Sequence, residues 1–175
     1  LDGLGKRLAE YVAWGAKFTK WRAVITVGEN LPTRECVKAN ALILARFAAI
    51  SQAAGLVPVV EPEVLMEGDH SIDKCQKATE MVGRIVFEAL EGQRVDLAGL
   101  LYKPNMVVAG NDCPKQPGIE EVAEKTVETM NKIVSVRVPG IVFLSGGQEA
   151  KTATARLNAI AKAGAGASWR WAFSF

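Results

Sequence analysis

The chain has 175 residues, 49% of them hydrophobic and 23% charged, which is the composition of one globular domain with a sizeable core. A formal net charge of +2 is too small to make nucleic acid or a membrane surface the main partner, and no run of 18 apolar residues offers a transmembrane helix. A single histidine, His70, excludes a three-histidine zinc site within the chain, and the three cysteines, Cys36, Cys75 and Cys113, fit neither a short metal motif nor a disulfide framework. They read as reduced thiols of a cytoplasmic protein.

Taken in order, "LDGLGKRLAEY" opens as an amphipathic helix rather than a signal peptide. A β-rich run follows at 18–27, "FTKWRAVITV", in which Lys20 and Arg22 share one face and Trp21 the other. Cys36, Ile43, Phe47, Ile50 and Ala54 then trace a helical stripe over 36–54, with Thr33 as N-cap and Gly55 as stop. The run 55–64, "GLVPVVEPEV", ends on Glu61 and Glu63, again on a common face. Ser71 caps a second helix, with Asp73 in its first turn, a stripe from Ile72 through Cys75, Thr79, Val82 and Val86 to Ala89, and Gly92 at its end. Next come a β-run at 97–107, "LAGLLYKPNMV", and a helix carrying Ile119, Val122, Thr126, Met130 and Ile133 behind Glu120 and Glu121. The chain closes with a β-run at 140–147, "GIVFLSGG", a short helix at 149–162, and a last β-run at 169–175, "WRWAFSF".

Alternating strand and helix implies a parallel sheet with right-handed crossovers, and nearly continuous apolar strands imply burial on both faces. A dinucleotide-binding open sheet should carry G-x-G-x-x-G after its first strand, and none is present. Polar residues decide for a barrel. Lys20, Glu61, Lys103 and Ser145 end successive β-runs at steps of 41 or 42 residues, as a (β/α)8 barrel places its site groups on the C-terminal face. Such a TIM barrel needs eight strands and about 250 residues. Residues 1–175 are therefore expected to form one domain holding the last five strands, cut from something longer.

Each group has a plain and a chemical reading. Lys103 can snorkel, pair with a carboxylate, or shed its proton and act as a nucleophilic amine, an outcome favoured by desolvation and neighbouring cations. Pro104 restricts Lys103 to extended geometry. Glu61 and Glu63 are either solvated loop carboxylates or an acid/base and the partner of a cation. Lys20 and Arg22 are either a surface pair or the holders of an anionic substrate. Ser145-Gly146-Gly147 is either an ordinary turn or a phosphate loop at a helix start, to which Ser174 in the final strand could add a hydroxyl.

Together "KFTKWRAV", "GLVPVVEPEVL", "GDH", "LLYKPNMV" and "FLSGGQ" closely resemble class I fructose-1,6-bisphosphate aldolase, over the whole chain. The resemblance implies reversible, metal-independent cleavage of fructose 1,6-bisphosphate to dihydroxyacetone phosphate and glyceraldehyde 3-phosphate, without a cofactor. It implies Lys103 as the Schiff-base lysine on the sixth barrel strand, Glu61 as acid/base, and Lys20 as the lysine beside it. Arg22, Glu63, Ser145, Gly146, Gly147 and Ser174 become substrate-binding neighbours, and the partners a phosphorylated sugar and other copies in a homotetramer. Metal-dependent aldolases use histidine ligands, which one histidine does not supply. The resemblance also places three further strands, with an essential aspartate, before Leu1, and a phosphate-gripping arginine and mobile tail after Phe175. "QEAKTATARLNAI" and "GAGAS" depart from the family pattern. Two alternatives stand beside it: an inactive fragment or barrel-fold scaffold protein, and another Schiff-base lyase acting on a different phosphosugar.

Overall fold

Five apolar segments lie side by side in a computed structural model that describes every residue from Leu1 to Phe175. The strands are β1 (Phe18–Ile25), β2 (Val57–Val64), β3 (Leu101–Tyr102), β4 (Gly140–Phe143) and β5 (Arg170–Phe173). They neighbour one another in chain order and every pair is parallel. An order with no reversal is that of a barrel wall, not of a doubly wound sheet. Helices α1 (Leu4–Ala13), α2 (Arg34–Ala53), α3 (Ile72–Gly92), α4 (Ile119–Ile133) and α5 (Ala150–Ala163) precede and separate the strands. α2, α3 and α4 each pack on the next helix, and α2, α3 and α5 also touch the sheet, so the core lies between a helical layer and the strands. No helix is long and apolar enough to cross a membrane.

Alternation along β1 sorts packing from chemistry. Thr19, Trp21, Ala23 and Ile25 turn to the helices: Thr19 Oγ1 donates to Ser51 Oγ at 2.9 Å, and the Trp21 ring lies 5.6 Å from that of Phe47 on α2. Phe18, Lys20, Arg22 and Val24 occupy the other, open face.

Thr33 and Ser71 cap their helices as expected, each side chain accepting from the N–H three residues on. Gly55 takes a left-handed turn after α2, whereas Gly92 is the last residue of α3 and Arg94 has the positive φ there. The stripe expected on α2 is displaced. Cys36 and Ile43 are exposed, and the buried face runs through Val37, Ala41, Leu44, Ala45, Phe47, Ala48 and Ser51. Small residues let this helix approach the sheet closely, a face that counting large apolar side chains misses.

The β-run expected at 97–107 is mostly not ladder. Leu97–Gly99 form a 3₁₀ turn, closed by Asp96 Oδ1 accepting from Ala98 N, and only Leu101 and Tyr102 pair as strand. Pro104 supplies no donor, so regular pairing stops and 103–110 continues buried without strand pairing. This segment then meets the loop after β2. Gly110 N donates to His70 O at 2.8 Å, Asn111 N to Met66 O at 2.8 Å and Asp112 N to Gly68 O at 2.9 Å. A Cβ on Gly110 would sit 2.2 Å from Gly68 O, so the two loops close only around a glycine. Gly110→Ala is expected to cost about 2–3 kcal/mol by forcing these backbones apart, measured as a lowered midpoint in urea.

His70 lies in the same seam, 4% exposed, with neither ring nitrogen hydrogen-bonded. Burial, reinforced by Lys74 and opposed by Asp69, lowers its pKa below the ordinary 6.5. Below pH 6.5 the unfolded chain takes a proton that the folded chain refuses, so this stability is complete above 6.5 and is lost as pH falls. His70→Gln is expected to flatten the decline of thermal stability between pH 7 and 5, read by circular dichroism melts.

Candidate active site

Lys103 is held before its side chain does anything. Its N–H donates to Val60 O at 2.8 Å, and Pro104 O accepts from Leu144 N at 3.2 Å, so the residue is pinned between β2 and the end of β4. The side chain is only 11% exposed, and its Nζ stands 3.3 Å from Glu61 Oε1 and 3.4 Å from Ser174 Oγ. Glu61, also buried, turns its other oxygen to Lys20, with Oε2 3.1 Å from Nζ. That contact is ionic and not aligned as a hydrogen bond, since Oε2 has no hydrogen-bond partner. Beside this trio Arg22 Nε donates to Glu63 Oε2. The bond to Glu63 raises the Arg22 pKa above its usual value, with Glu61 and Glu67 adding to the effect against a loss from burial.

Register explains the pairing. Arg22 lies opposite Glu61 and Val24 opposite Glu63, yet each cation meets the carboxylate one inward-facing step further along β2. Lys20 reaches Glu61 and Arg22 reaches Glu63. The acid pair is therefore fully engaged: neither carboxylate is a solvated loop group, and Lys103 does not snorkel.

Lys103 and Ser174 border two cavities. One, of about 470 Å³, runs down the open sheet face past Lys20, Val59, Leu101 and Val142. The other, of about 360 Å³, is polar and lies toward the loops, between Arg22, Glu61, Glu63 and Glu67 on one side and Ser145, Gly146 and Gly147 on the other. Gly146 and Gly147 have φ of 64° and 87°, a left-handed pair that other residues adopt at a cost. Their N–H groups donate to no acceptor in the protein. The start of α5 is not free in the same way: Glu149 Oε2 accepts from Thr152 N at 3.0 Å. Glu149 thus caps one N–H of the first turn of α5, while the Gly146 and Gly147 amides stay open toward the polar cavity.

All nine residues singled out from sequence thus lie along one face or its rim. Three others were missed. Glu67, exposed on the loop after β2, lines the polar cavity. Gln148 bonds back to the Ser145 carbonyl. Asn105, 2% exposed, accepts from Val64 N through Oδ1 at 3.0 Å and donates through Nδ2 to Thr79 Oγ1 at 3.2 Å and Met106 O at 3.0 Å. It replaces the ladder that Pro104 ends, and so fixes the Lys103 segment against the strand carrying Glu61. Its place two residues after a strand-ending lysine was the available signal. No three histidine, cysteine, aspartate or glutamate side chains come together as a metal-binding group.

A lysine, an acid and a second lysine within contact, facing a glycine loop, is an arrangement that can be compared with known proteins. The family model for class I fructose-bisphosphate aldolase matches residues 1–175. The chain belongs to the class I fructose-bisphosphate aldolase family. It is 50% identical over 175 residues to a probable fructose-bisphosphate aldolase class 1 of Xanthomonas campestris pv. campestris, covering 100% of this chain and 52% of that protein. It is 47% identical over 175 residues to fructose-bisphosphate aldolase, cytoplasmic isozyme 2, of Pisum sativum, covering 100% and 48%. Among solved structures it superposes with a TM-score of 0.95 and 41% identity on fructose-bisphosphate aldolase of Plasmodium falciparum, crystallised with TRAP and a small-molecule inhibitor. That match covers 99% of this chain and 51% of the other. The chain spans about half the length of the curated relatives it matches. The (β/α)8 architecture of the aldolase family accounts for the five consecutive parallel strands, which form part of such a barrel.

Within this aldolase fold Asn105 is the brace whose loss should be felt most. Asn105→Ala leaves the buried Val64 N–H and Thr79 hydroxyl without their partner and is expected to cost about 2–3 kcal/mol. Denaturant titration of Asn105→Ala, Thr79→Val and the double variant should return non-additive losses for the two variants.

Proposed function

We propose that the whole protein is a class I fructose-bisphosphate aldolase, cleaving fructose 1,6-bisphosphate reversibly to dihydroxyacetone phosphate and glyceraldehyde 3-phosphate. The observation that carries this reading is the buried Lys103 Nζ, 3.3 Å from Glu61 Oε1, at the junction of the two cavities. Family membership supports it.

In the cleavage direction Glu61 accepts a proton from the Lys103 ammonium, and the freed amine attacks the C2 ketone, forming a carbinolamine. Glu61, as acid, gives a proton to the departing hydroxyl; water leaves and an iminium remains. A base then removes the C4 hydroxyl proton. The C3–C4 electron pair flows into the iminium, which becomes an enamine, and glyceraldehyde 3-phosphate departs. Protonation at C3 restores the iminium, and water hydrolyses it to dihydroxyacetone phosphate and free Lys103. The iminium nitrogen is the electron sink, so the scheme calls for no metal ion or cofactor.

Lys20, sharing Glu61 with Lys103, orients that carboxylate and stabilises charge on substrate oxygens. Arg22 is itself held by Glu63, so it serves as a fixed positive wall beside the phosphorylated substrate. The Gly146 and Gly147 amides take a phosphate, and Ser145 and Ser174 offer hydroxyls. The same reading includes a cytoplasmic location, in keeping with the name of the pea relative, and a homotetramer, on the family resemblance.

Borohydride added to the full-length protein with dihydroxyacetone phosphate should reduce the imine to a stable adduct on Lys103, located by peptide mass spectrometry. Lys103→Ala should give none, and Glu61→Gln should slow trapping by about 100-fold. No adduct in the unmodified protein, or an undiminished one in Lys103→Ala, rejects the mechanism.

A further inference from the structure

Arg156, in the middle of α5, is a cation without a counterion. It forms no ion pair with any carboxylate, and its Nε is buried with no hydrogen-bond partner. Its single polar contact runs toward the candidate site: Nη1 donates to Gln148 Oε1 at 2.8 Å. Gln148 Nε2 in turn donates to Ser145 O at 2.9 Å and lies 3.7 Å from Met106 Sδ, in the segment that follows Lys103. The Gln148 N–H reaches the same Ser145 carbonyl at 3.2 Å.

The direction of this relay is forced. A guanidinium has donors only, so it draws Oε1 of Gln148 toward itself and leaves Nε2 to face Ser145. The Ser145 carbonyl, gripped by two donors, is committed to the helix side of the loop. Gly146 and Gly147 then line the polar cavity with unpaired N–H groups. A half-buried positive charge with no acid beside it costs free energy, and an anion on that loop offsets part of the cost. Burial pushes the Arg156 guanidinium below the usual arginine value, and no carboxylate opposes the shift.

We infer that Arg156 is a positioning residue for the phosphate subsite: through Gln148 it sets the conformation of the Ser145–Gly147 loop and supplies charge to the phosphate bound there. The inference deepens the aldolase reading and rests on it for the identity of the substrate, but it is tested by a readout that needs no turnover.

In the full-length protein, inorganic phosphate binding is measured by calorimetry for the unmodified chain, Arg156→Gln, Arg156→Lys, Gln148→Ala and the Arg156→Gln/Gln148→Ala double variant. Arg156→Gln is expected to weaken phosphate about 5-fold or more, and Arg156→Lys to recover part of the loss. The double variant should be no worse than the weaker single one, because both act on one relay. With fructose 1,6-bisphosphate the KM should rise in the same proportion, with kcat within about 2-fold and Lys103 still trapped by borohydride. An unchanged phosphate affinity in Arg156→Gln, additive losses in the double variant, or no saturable phosphate binding by the unmodified chain overturns the inference. Phosphate binding that depends on Arg156 in a protein that neither traps an adduct nor turns over rejects the aldolase reading alone.

Discussion

One buried carboxylate holds two ammonium groups at the mouth of the sheet. Glu61 stands 3.1 Å from Lys20 Nζ and 3.3 Å from Lys103 Nζ, with Arg22 and Glu63 paired alongside. Such a cluster survives burial only while its geometry is kept, because removing one partner strands the others in a poorly solvated place. Much of the surrounding structure can be understood as scaffolding for that geometry. β1 and β2 run in register over eight residues, Lys103 is tied by its backbone to β2 and, through Pro104, to β4, and Asn105 carries the tie beyond the point where a proline ends the ladder.

The same cluster divides its neighbourhood into two environments. Below it the open sheet face is largely apolar; above it the cavity is lined by ions, a hydroxyl and glycine amides. Lys103 and Ser174 sit at the boundary. Under the proposed aldolase reading, that gradient would set the carbonyl of the substrate near the lysine and a phosphate toward the amides.

Much of this was legible in the residues alone. Period-two alternation placed Lys20 with Arg22 and Glu61 with Glu63, and a constant strand–helix step put Lys103 and Ser145 at the same end. Strong caps at Thr33 and Ser71 marked helix starts correctly. What stayed hidden had physical causes. The buried face of α2 mixes Ala41, Ala45, Ala48 and Ser51 with Val37, Leu44 and Phe47, so large apolar side chains alone trace it poorly. β3 is short because Pro104 withholds a donor, and a continuous apolar run conceals that break. Asn105 bonds Val64 across 41 residues of chain and Arg156 bonds Gln148 across 8, contacts that strand and helix periodicity do not signal.

Consider finally how β1 interleaves its two duties. Trp21 and Ala23 serve the helical layer while Lys20 and Arg22 serve the cluster, residue by alternate residue. Inserting or deleting a single residue within this strand would exchange the sets, driving charges into the hydrophobic interior and an indole onto the face that carries the ion cluster. The spacing of residues between Phe18 and Ile25 is thus a tighter physical constraint than the identity of most side chains along it, and the connecting segments are where an added residue would disturb neither set.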